Sequence, residues 1–177
     1  MWMHPHLLIH FSQHFSIFTN VTSLTIDTLS IYLFSQAELR KVFSHFFQTI
    51  TELSLEGPRS DPRDLIAFLR HFSRLESLAI SDPEWVEVRQ FLFHPRKASP
   101  PFNGNLCLIR LDSDSSLFVR LLSELPLRFR QLSIVDCSLG RPGFDLILGR
   151  LGENLSSLTI SAWFEGTSPA QINPKLS

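Results

Sequence analysis

Histidine residues near the N-terminus have the spacing best suited to chemistry in this sequence. His6, His10 and His14 recur every four residues, so they would share one face of a helix. Three imidazoles on one face are a donor set that zinc accepts. No Asp, Glu or Cys occurs among residues 1–20 to complete a metal shell, and Pro5 obstructs a longer helix. We therefore expect no metal site. The alternative function is a small metal-dependent enzyme or metal protein that uses these histidines.

Other signatures of catalysis or cofactor binding are missing from the sequence. No GxSxG, HExxH, GxGxxG or GxxxxGK pattern occurs, and the glycines of GRPG (140–143) and GRLG (149–152) are too weak a signal for a phosphate loop. Cys107 and Cys137 are too few for a disulfide framework, which favours a reducing compartment. We therefore expect no enzymatic activity and no cofactor.

Bulk composition narrows the class of partner. The chain has 177 residues, of which 44% are hydrophobic and 19% charged, so it can bury one sizeable core. Its formal net charge of −1 offers no excess of positive charge for nucleic acid or anionic lipid. The N-terminus lacks the charged start and the cleavage site of a signal peptide, and no apolar run approaches the roughly 18 residues of a membrane span. We expect a soluble intracellular protein, cytoplasmic or nuclear, that binds neither nucleic acid nor membrane.

Six short segments share one template: an apolar residue, two variable residues, Leu or Ile, one variable residue, and Leu or Ile again. They are VTSLTI (21–26), ITELSL (50–55), LESLAI (75–80), LCLIRL (106–111), FRQLSI (129–134) and LSSLTI (155–160). Their fourth residues lie 29, 25, 31, 23 and 26 residues apart. These intervals mostly fall within the period of about 20 to 29 residues of leucine-rich repeats. The alternation of Leu with polar residues predicts strands buried on one face.

Between these segments the apolar spacing becomes helical. Four sets have relative positions 0, 3, 4 and 7, which predicts a helix with one apolar stripe in each case. The sets are Leu39, Val42, Phe43 and Phe46; Leu65, Phe68, Leu69 and Phe72; Phe118, Leu121, Leu122 and Leu125; and Phe144, Ile147, Leu148 and Leu151.

Local signals mark the helix ends. Ser35 with Glu38 has capping-box spacing, and Asp61 followed by Pro62 marks a second start, with an acidic residue at position 64. Pro126 marks one helix end, and a second end is marked at position 152 by glycine.

These patterns predict an α/β leucine-rich-repeat solenoid of about six repeats, with a curved parallel sheet on the concave side and helices on the convex side. A doubly wound nucleotide-binding fold is the competing architecture, but its strands are covered on both faces and would not alternate. We expect a degenerate N-terminal helix at 1–20, the repeat domain at 21–166 and a flexible tail at 167–177. The proline-containing stretch 85–105 is expected to be an irregular convex connection.

The predicted ends lack clear caps. A terminal repeat normally needs a polar cap, because one repeat cannot bury its apolar face alone. We therefore expect part of a longer array or an abbreviated gene product, which would self-associate through its open ends. A truncated remnant without a partner is a further alternative.

The segment FRQLSIVDC (129–137) matches the LxxLxLxxC form of a leucine-rich repeat. Together with SLEGPRSDPRDLIAFL, LAISDPEW and LGENLSSLTISAWFEG, it resembles the repeat region of F-box/leucine-rich-repeat proteins abundant in mushroom-forming fungi. The resemblance covers roughly residues 11–166 and does not include an F-box. It implies a substrate-receptor role, in which an F-box binds the adaptor of a cullin-RING ubiquitin ligase and the repeats select the target. The predicted function is therefore a non-catalytic protein-interaction module.

The strand alternation predicts which side chains point out of the concave face. They are Ser23, Thr25, Asp27, Glu52, Ser54, Glu56, Ser77, Ala79, Ser81, Leu108, Arg110, Asp112, Gln131, Ser133, Val135, Ser157, Thr159 and Ser161.

From this set we take four charged residues as partner-binding candidates, and we add four residues from loops that leave the strands. The eight are Asp27, Glu56, Arg110, Asp112, Arg59, Trp85, Trp163 and Phe164. Because the face itself lacks Trp and Tyr, we favour the interpretation that it is merely a solvated sheet face. For the two tryptophans we favour packing over the end of the core, with partner contact as the alternative.

Overall fold

A computed structural model describes residues 10, 12–86, 102–112, 115–123, 127–138, 145–149 and 154–161. The strands are β1 (Ser23–Asp27), β2 (Glu52–Glu56), β3 (Arg59–Ser60), β4 (Ser77–Ser81), β5 (Glu84–Trp85), β6 (Phe102–Ile109), β7 (Leu127–Val135) and β8 (Ser157–Ser161). The α-helices are α1 (Gln36–Phe43), α2 (Pro62–Leu69) and α3 (Ser116–Ser123), and residues 145–149 are also helical. Short 3-10 turns lie at Phe15–Ile17, Ile31–Leu33 and Phe46–Gln48.

Six of the strands form one parallel sheet in the order β1-β2-β4-β6-β7-β8, which is their order along the chain. The α/β class and the six parallel strands predicted from the sequence are therefore confirmed. A second parallel pair, β3 with β5, was not predicted. An isolated bridge between Ser30 and Arg59 extends this pair toward the loop after β1.

One face of the large sheet lies in the core and the other faces solvent. Leu53 and Leu55 of β2 are 2% and 0% exposed, whereas Glu52 and Glu56 of the same strand are exposed. The alternation in the sequence thus places apolar and polar side chains on opposite faces, because successive residues of a strand point to opposite sides. A sheet covered on both faces, the competing architecture, does not fit this pattern.

The helix starts follow their sequence signals. The Ser35 side chain accepts a hydrogen bond from the Glu38 backbone N–H, and the Glu38 carboxylate accepts one from the Ser35 N–H at 2.7 Å. Asp61 accepts a hydrogen bond from the Arg63 N–H at 2.8 Å, with Pro62 in the first turn. These contacts satisfy N–H groups that have no partner inside a helix. Both predicted helix starts are confirmed.

The apolar stripes of the helices fill the core. The buried stripe residues are Leu39, Val42, Phe43, Phe46, Leu65, Phe68, Leu69, Phe72, Phe118, Leu122 and Ile147. Several of the phenylalanines meet edge to face, as Phe47 and Phe72 do with ring centroids 5.0 Å apart. Leu121 and Leu148 are half-buried and pack against the same core. Stripe positions 125, 144 and 151, and the predicted helix ends at 126 and 152, lie outside the described residues.

The template LCLIRL was predicted in a frame that is wrong by three residues. It made Ile109 equivalent to Leu78, but the pairing places Leu106 opposite Leu78. Leu108, predicted to point outward, is 0% exposed and lies in the core. The sequence admits both frames because positions 106, 108, 109 and 111 are all apolar. With Leu106 as the equivalent residue, the two neighbouring intervals become 28 and 26 residues, instead of 31 and 23.

Gly104 permits the frame that β6 adopts. Its φ of +84° lies in the left-handed region, and a Cβ added there would lie 1.8 Å from the Glu76 carbonyl oxygen. A register irregularity follows between Gly104 and Asn105, whose N–H donates to the same carbonyl at 2.7 Å. Only glycine permits this close approach of two backbones.

The remaining segment predictions are only partly covered. The stretch 85–105 was predicted to be an irregular connection, but Trp85 belongs to β5 and residues 102–105 belong to β6, so the prediction is wrong at both ends. Residues 87–101 lie outside the described part. For the N-terminal helix predicted at 1–20, positions 10 and 12 are helical, Phe15–Ile17 form a 3-10 turn, and residues 18–20 are not helical. Residues 1–9 and 11 are not described. The predicted tail at 167–177 also lies outside. None of the helices described has the length and apolar character needed to cross a bilayer.

Candidate protein-binding surface

Three rows of side chains cross the solvent-facing side of the large sheet, each with one residue from every strand. The first row is Ser23, Glu52, Ser77, Asn105, Gln131 and Ser157. The second row is Thr25, Ser54, Ala79, Cys107, Ser133 and Thr159. The third row is Asp27, Glu56, Ser81, Ile109, Val135 and Ser161. Neighbouring strands lie about 4.8 Å apart, so each row is a regular series of side chains.

The third row changes in chemistry along its length. Asp27 and Glu56 are direct register partners and both are exposed. Among the described residues, neither forms a salt bridge. Farther along the same row, Ile109 and Val135 are paired and half-buried. The row therefore offers acidic side chains at one end and aliphatic side chains near the other, and Ile109 was missed because of the frame error in β6.

A row of left-handed residues follows the large sheet where the strands end. They are Thr28 (φ +54°), Gly57 (+57°), Asp82 (+48°), Arg110 (+51°) and Asp136 (+52°). Each backbone N–H donates to the last residue of the next strand, as Arg110 does to the Val135 carbonyl at 2.9 Å. The sequence gives little sign of these turns, because four of the five residues are not glycine.

Arg110 lies in this row of turns and not on the sheet face, where it was predicted. The strand ends at Ile109, and the left-handed residue then redirects the chain. The Arg110 guanidinium donates two hydrogen bonds to the Asp82 carboxylate in a bidentate pair. This hydrogen bonding and the charge of Asp82 raise the pKa of Arg110 above its usual value. The side chain is exposed, but its charge already has a partner.

Asp112 is likewise absent from the sheet face, where it was predicted. It is exposed in the segment after β6, since the chain has already turned away from the sheet. One carboxylate oxygen accepts hydrogen bonds from the backbone N–H and the hydroxyl of Ser115, at 3.1 and 3.0 Å. Asp112 therefore holds Ser115, the residue that directly precedes α3.

Arg59 belongs to the smaller sheet. Its Nε lies 2.6 Å from a carboxylate oxygen of Glu84, and its guanidinium carbon lies 5.9 Å from the centroid of the Tyr32 ring. Its side chain is 26% exposed and that of Glu84 is 58% exposed. Arg59 thus links β3 to β5 through its side chain, and the Glu84 carboxylate still faces solvent.

Trp85 packs against the core and also makes a specific polar contact. Its indole N–H donates to the Ser115 hydroxyl at 2.8 Å, and its ring stacks on Phe118 with centroids 5.2 Å apart. The residue is half-buried. This geometry favours a tryptophan that covers the core over a free contact residue. The other two aromatic candidates, Trp163 and Phe164, lie outside the described residues.

No metal centre is formed by the residues that the structure describes. His10 and His14 are exposed, and no group of three potential ligands is found within that part of the chain. His6 lies outside it, so the histidine alternative is not tested.

Burial and the nearby Arg40 lower the pKa of His71.

Cys137 occupies the position that the sequence template LxxLxLxxC predicts for cysteine. It is 6% exposed, and its sulfur accepts a hydrogen bond from the Leu111 N–H at 3.4 Å. Burial raises the pKa of this thiol. Cys107 is also a free thiol, but it belongs to the second row of the solvent-facing side. Cys137 therefore joins the end of β7 to the backbone at Leu108 and Leu111.

Asp64 is the titratable residue that sequence reasoning missed. It is 2% exposed in the first turn of α2. Burial, with a smaller contribution from Asp61, raises its pKa from 3.8 to about 6. Asp64 is part of the helix-start signal in the sequence. That signal does not indicate that its carboxyl would be buried.

Comparisons with protein-family models, with curated proteins and with solved structures find no match for this chain.

Proposed function

We propose that this chain is a leucine-rich-repeat solenoid that acts as a non-catalytic protein-interaction module, binding a partner with the solvent-facing side of its large sheet. The resemblance to fungal F-box/leucine-rich-repeat proteins adds a specific role, the target-binding part of a ubiquitin-ligase receptor. Support comes from strands that follow chain order in a parallel sheet, with equivalent Leu and Ile positions buried in each interior strand. Stacked repeats of this kind present an extended surface that can bind a protein partner without a closed pocket.

The solvent-facing side of the sheet is the observation that carries the proposal. Six strands at about 4.8 Å spacing and five residues at about 3.3 Å rise give a face of about 24 by 13 Å. A standard interface buries about 800 Å² on each partner, which is more than this face supplies. A stable complex would therefore also include the turns where the strands end, with Asp82, Arg110 and Asp136.

Charge suggests the chemistry of the partner. Asp27 and Glu56 lie side by side on the face, and the one arginine in the adjacent turns is already paired with Asp82. A partner segment that carries Lys or Arg would find two carboxylates there that form no salt bridge with the described residues, and opposite charges favour encounter and correct orientation. We therefore expect a basic segment to cross β1 and β2.

Proximity labelling in cells that express the full-length gene product would test the proposal. The variant Asp27→Lys/Glu56→Lys should lose labelled proteins that the wild-type protein captures. The matched control is Lys41→Glu/Arg74→Glu, which also reverses two exposed charges but at positions away from the sheet face. Equal loss in both variants, or no loss in either, would contradict binding through this face. Labelling of the cullin-RING adaptor by the wild-type protein would support the receptor role, and its absence would argue against it.

A further inference from the structure

Among the described residues, the exposed large apolar side chains come from segments close in the chain to the two edge strands. In the described part of the chain they are Ile17 (71%), Phe18 (46%), Leu33 (49%), Leu146 (42%) and Ile160 (41%). The first three flank β1, and the last two belong to the helical residues before β8 and to β8 itself. Such residues are normal when scattered singly, but here all five belong to the first or last strand or to segments adjacent to them in the chain.

In the part of the chain that the structure describes, neither edge strand has a neighbour on its outer side. β1 and β8 are the first and last strands of the sheet, so within the described residues their outer backbone groups do not pair. Unpaired edges are templates for another strand. Their sequences are nearly identical, SLTID for β1 and SLTIS for β8. One edge therefore presents almost the same pattern of side chains as the other.

We propose that two copies of this chain associate head to tail, with β8 of one copy beside β1 of the next. Parallel pairing in the register of the internal strands would place Leu158 opposite Leu24 and Ile160 opposite Ile26. The same register places Asp27 opposite Ser161, so no like charges meet. The contact continues the sheet that each copy already contains, and it does not depend on the proposed binding function.

The geometry of this contact has a consequence for assembly size. The two surfaces that meet are different, so each added copy leaves one edge of each kind free. Contacts of this type form rings if the rotation between copies closes, and open filaments if it does not. A contact between two identical edges, in contrast, would stop at a dimer.

Sedimentation velocity on the purified chain would test the proposal. The weight-average mass of the wild-type protein should rise with concentration beyond twice the 20.3 kDa of the monomer. Ile17→Lys/Leu33→Lys should block the β1 end and Leu146→Lys/Ile160→Lys the β8 end, so each variant alone should stay monomeric. These four positions are exposed, so the folded state should tolerate lysine, which circular dichroism would verify.

Mixing the two variants is the decisive step. Each retains one free end of the opposite kind, so an equimolar mixture should form a 1:1 dimer and stop there. The control Ser54→Lys/Ser133→Lys adds two lysines on the sheet face and should associate like the wild-type protein. A wild-type protein that stays monomeric, or a single-end variant that still dimerises, would overturn the proposal. Either result would leave the test of the sheet face unaffected.

Discussion

The interior strands β2, β4, β6 and β7 and the end strands β1 and β8 carry the same apolar pattern but bury it to different extents. Ile80 and Ile134, in interior strands, are 0% and 1% exposed, whereas the equivalent Ile160 is 41% exposed. Residue type is the same in all three. In this fold, the burial of an apolar side chain therefore depends on whether its strand has a neighbouring strand on each side. The cost of a substitution should follow position in the sheet more than residue type.

The largest effect is expected at Gly104, in an interior strand. Gly104→Ala should lower the free energy of unfolding by about 4 kcal/mol or more, because the new methyl group would overlap the Glu76 carbonyl oxygen. The matched control is Gly57→Ala, where φ is +57° but the nearest atom lies 3.8 Å away. It should cost only about 1 kcal/mol, the usual penalty of a left-handed alanine. Equal losses in urea denaturation would show that the close approach is not what matters.

A pair of identical substitutions tests the comparison directly. Ile80→Ala should cost about 3 kcal/mol, because it removes methyl groups from a closely packed interior and leaves a cavity. Ile160→Ala should cost about 1 kcal/mol or less, since much of that side chain already meets solvent. Urea denaturation at a low protein concentration, at which copies do not associate, would give both values. Similar losses would mean that the end strand is as well packed as the interior.

The smallest effect concerns a carboxyl that the interior buries. The pKa of Asp64 is raised from 3.8 to about 6, so ionisation destabilises the folded state as pH rises through this range. Asp64→Asn removes the charge and should raise the free energy of unfolding by about 2 kcal/mol above pH 7, with no gain below about pH 4. Stability curves measured across this pH range would show the divergence. A variant that is less stable than the wild-type protein at neutral pH would contradict it.

Much of the sheet could be predicted from the sequence because its signals are local. Segments such as SLTID and SLAIS alternate strictly, and Ser35 with Glu38 specifies a helix start through contacts within one turn. β6 was misplaced because its apolar residues fit two frames, and the frame that it adopts brings Gly104 against the backbone of the distant Glu76. No local pattern contains that information.

The candidate surface was less predictable than the fold. Asp27 and Glu56 were correctly placed on the open face, since their strands alternate clearly. Arg110 and Asp112 were misplaced because their positions follow from the frame of β6 and from a left-handed turn at a residue other than glycine. Whether a residue such as Asp64 is buried depends on its packing against elements distant in sequence.

The strand order also bears on how the chain folds. Because every strand of the large sheet pairs with strands adjacent in chain order, each pairing closes a loop of only 25 to 29 residues. The entropy of closing such loops grows slowly with length, so no pairing has to wait for a distant one. We expect a nucleus at the well-packed β2, β4 and β6, from which structure spreads outward in both directions. The terminal strands would then be the last to form and the first to open.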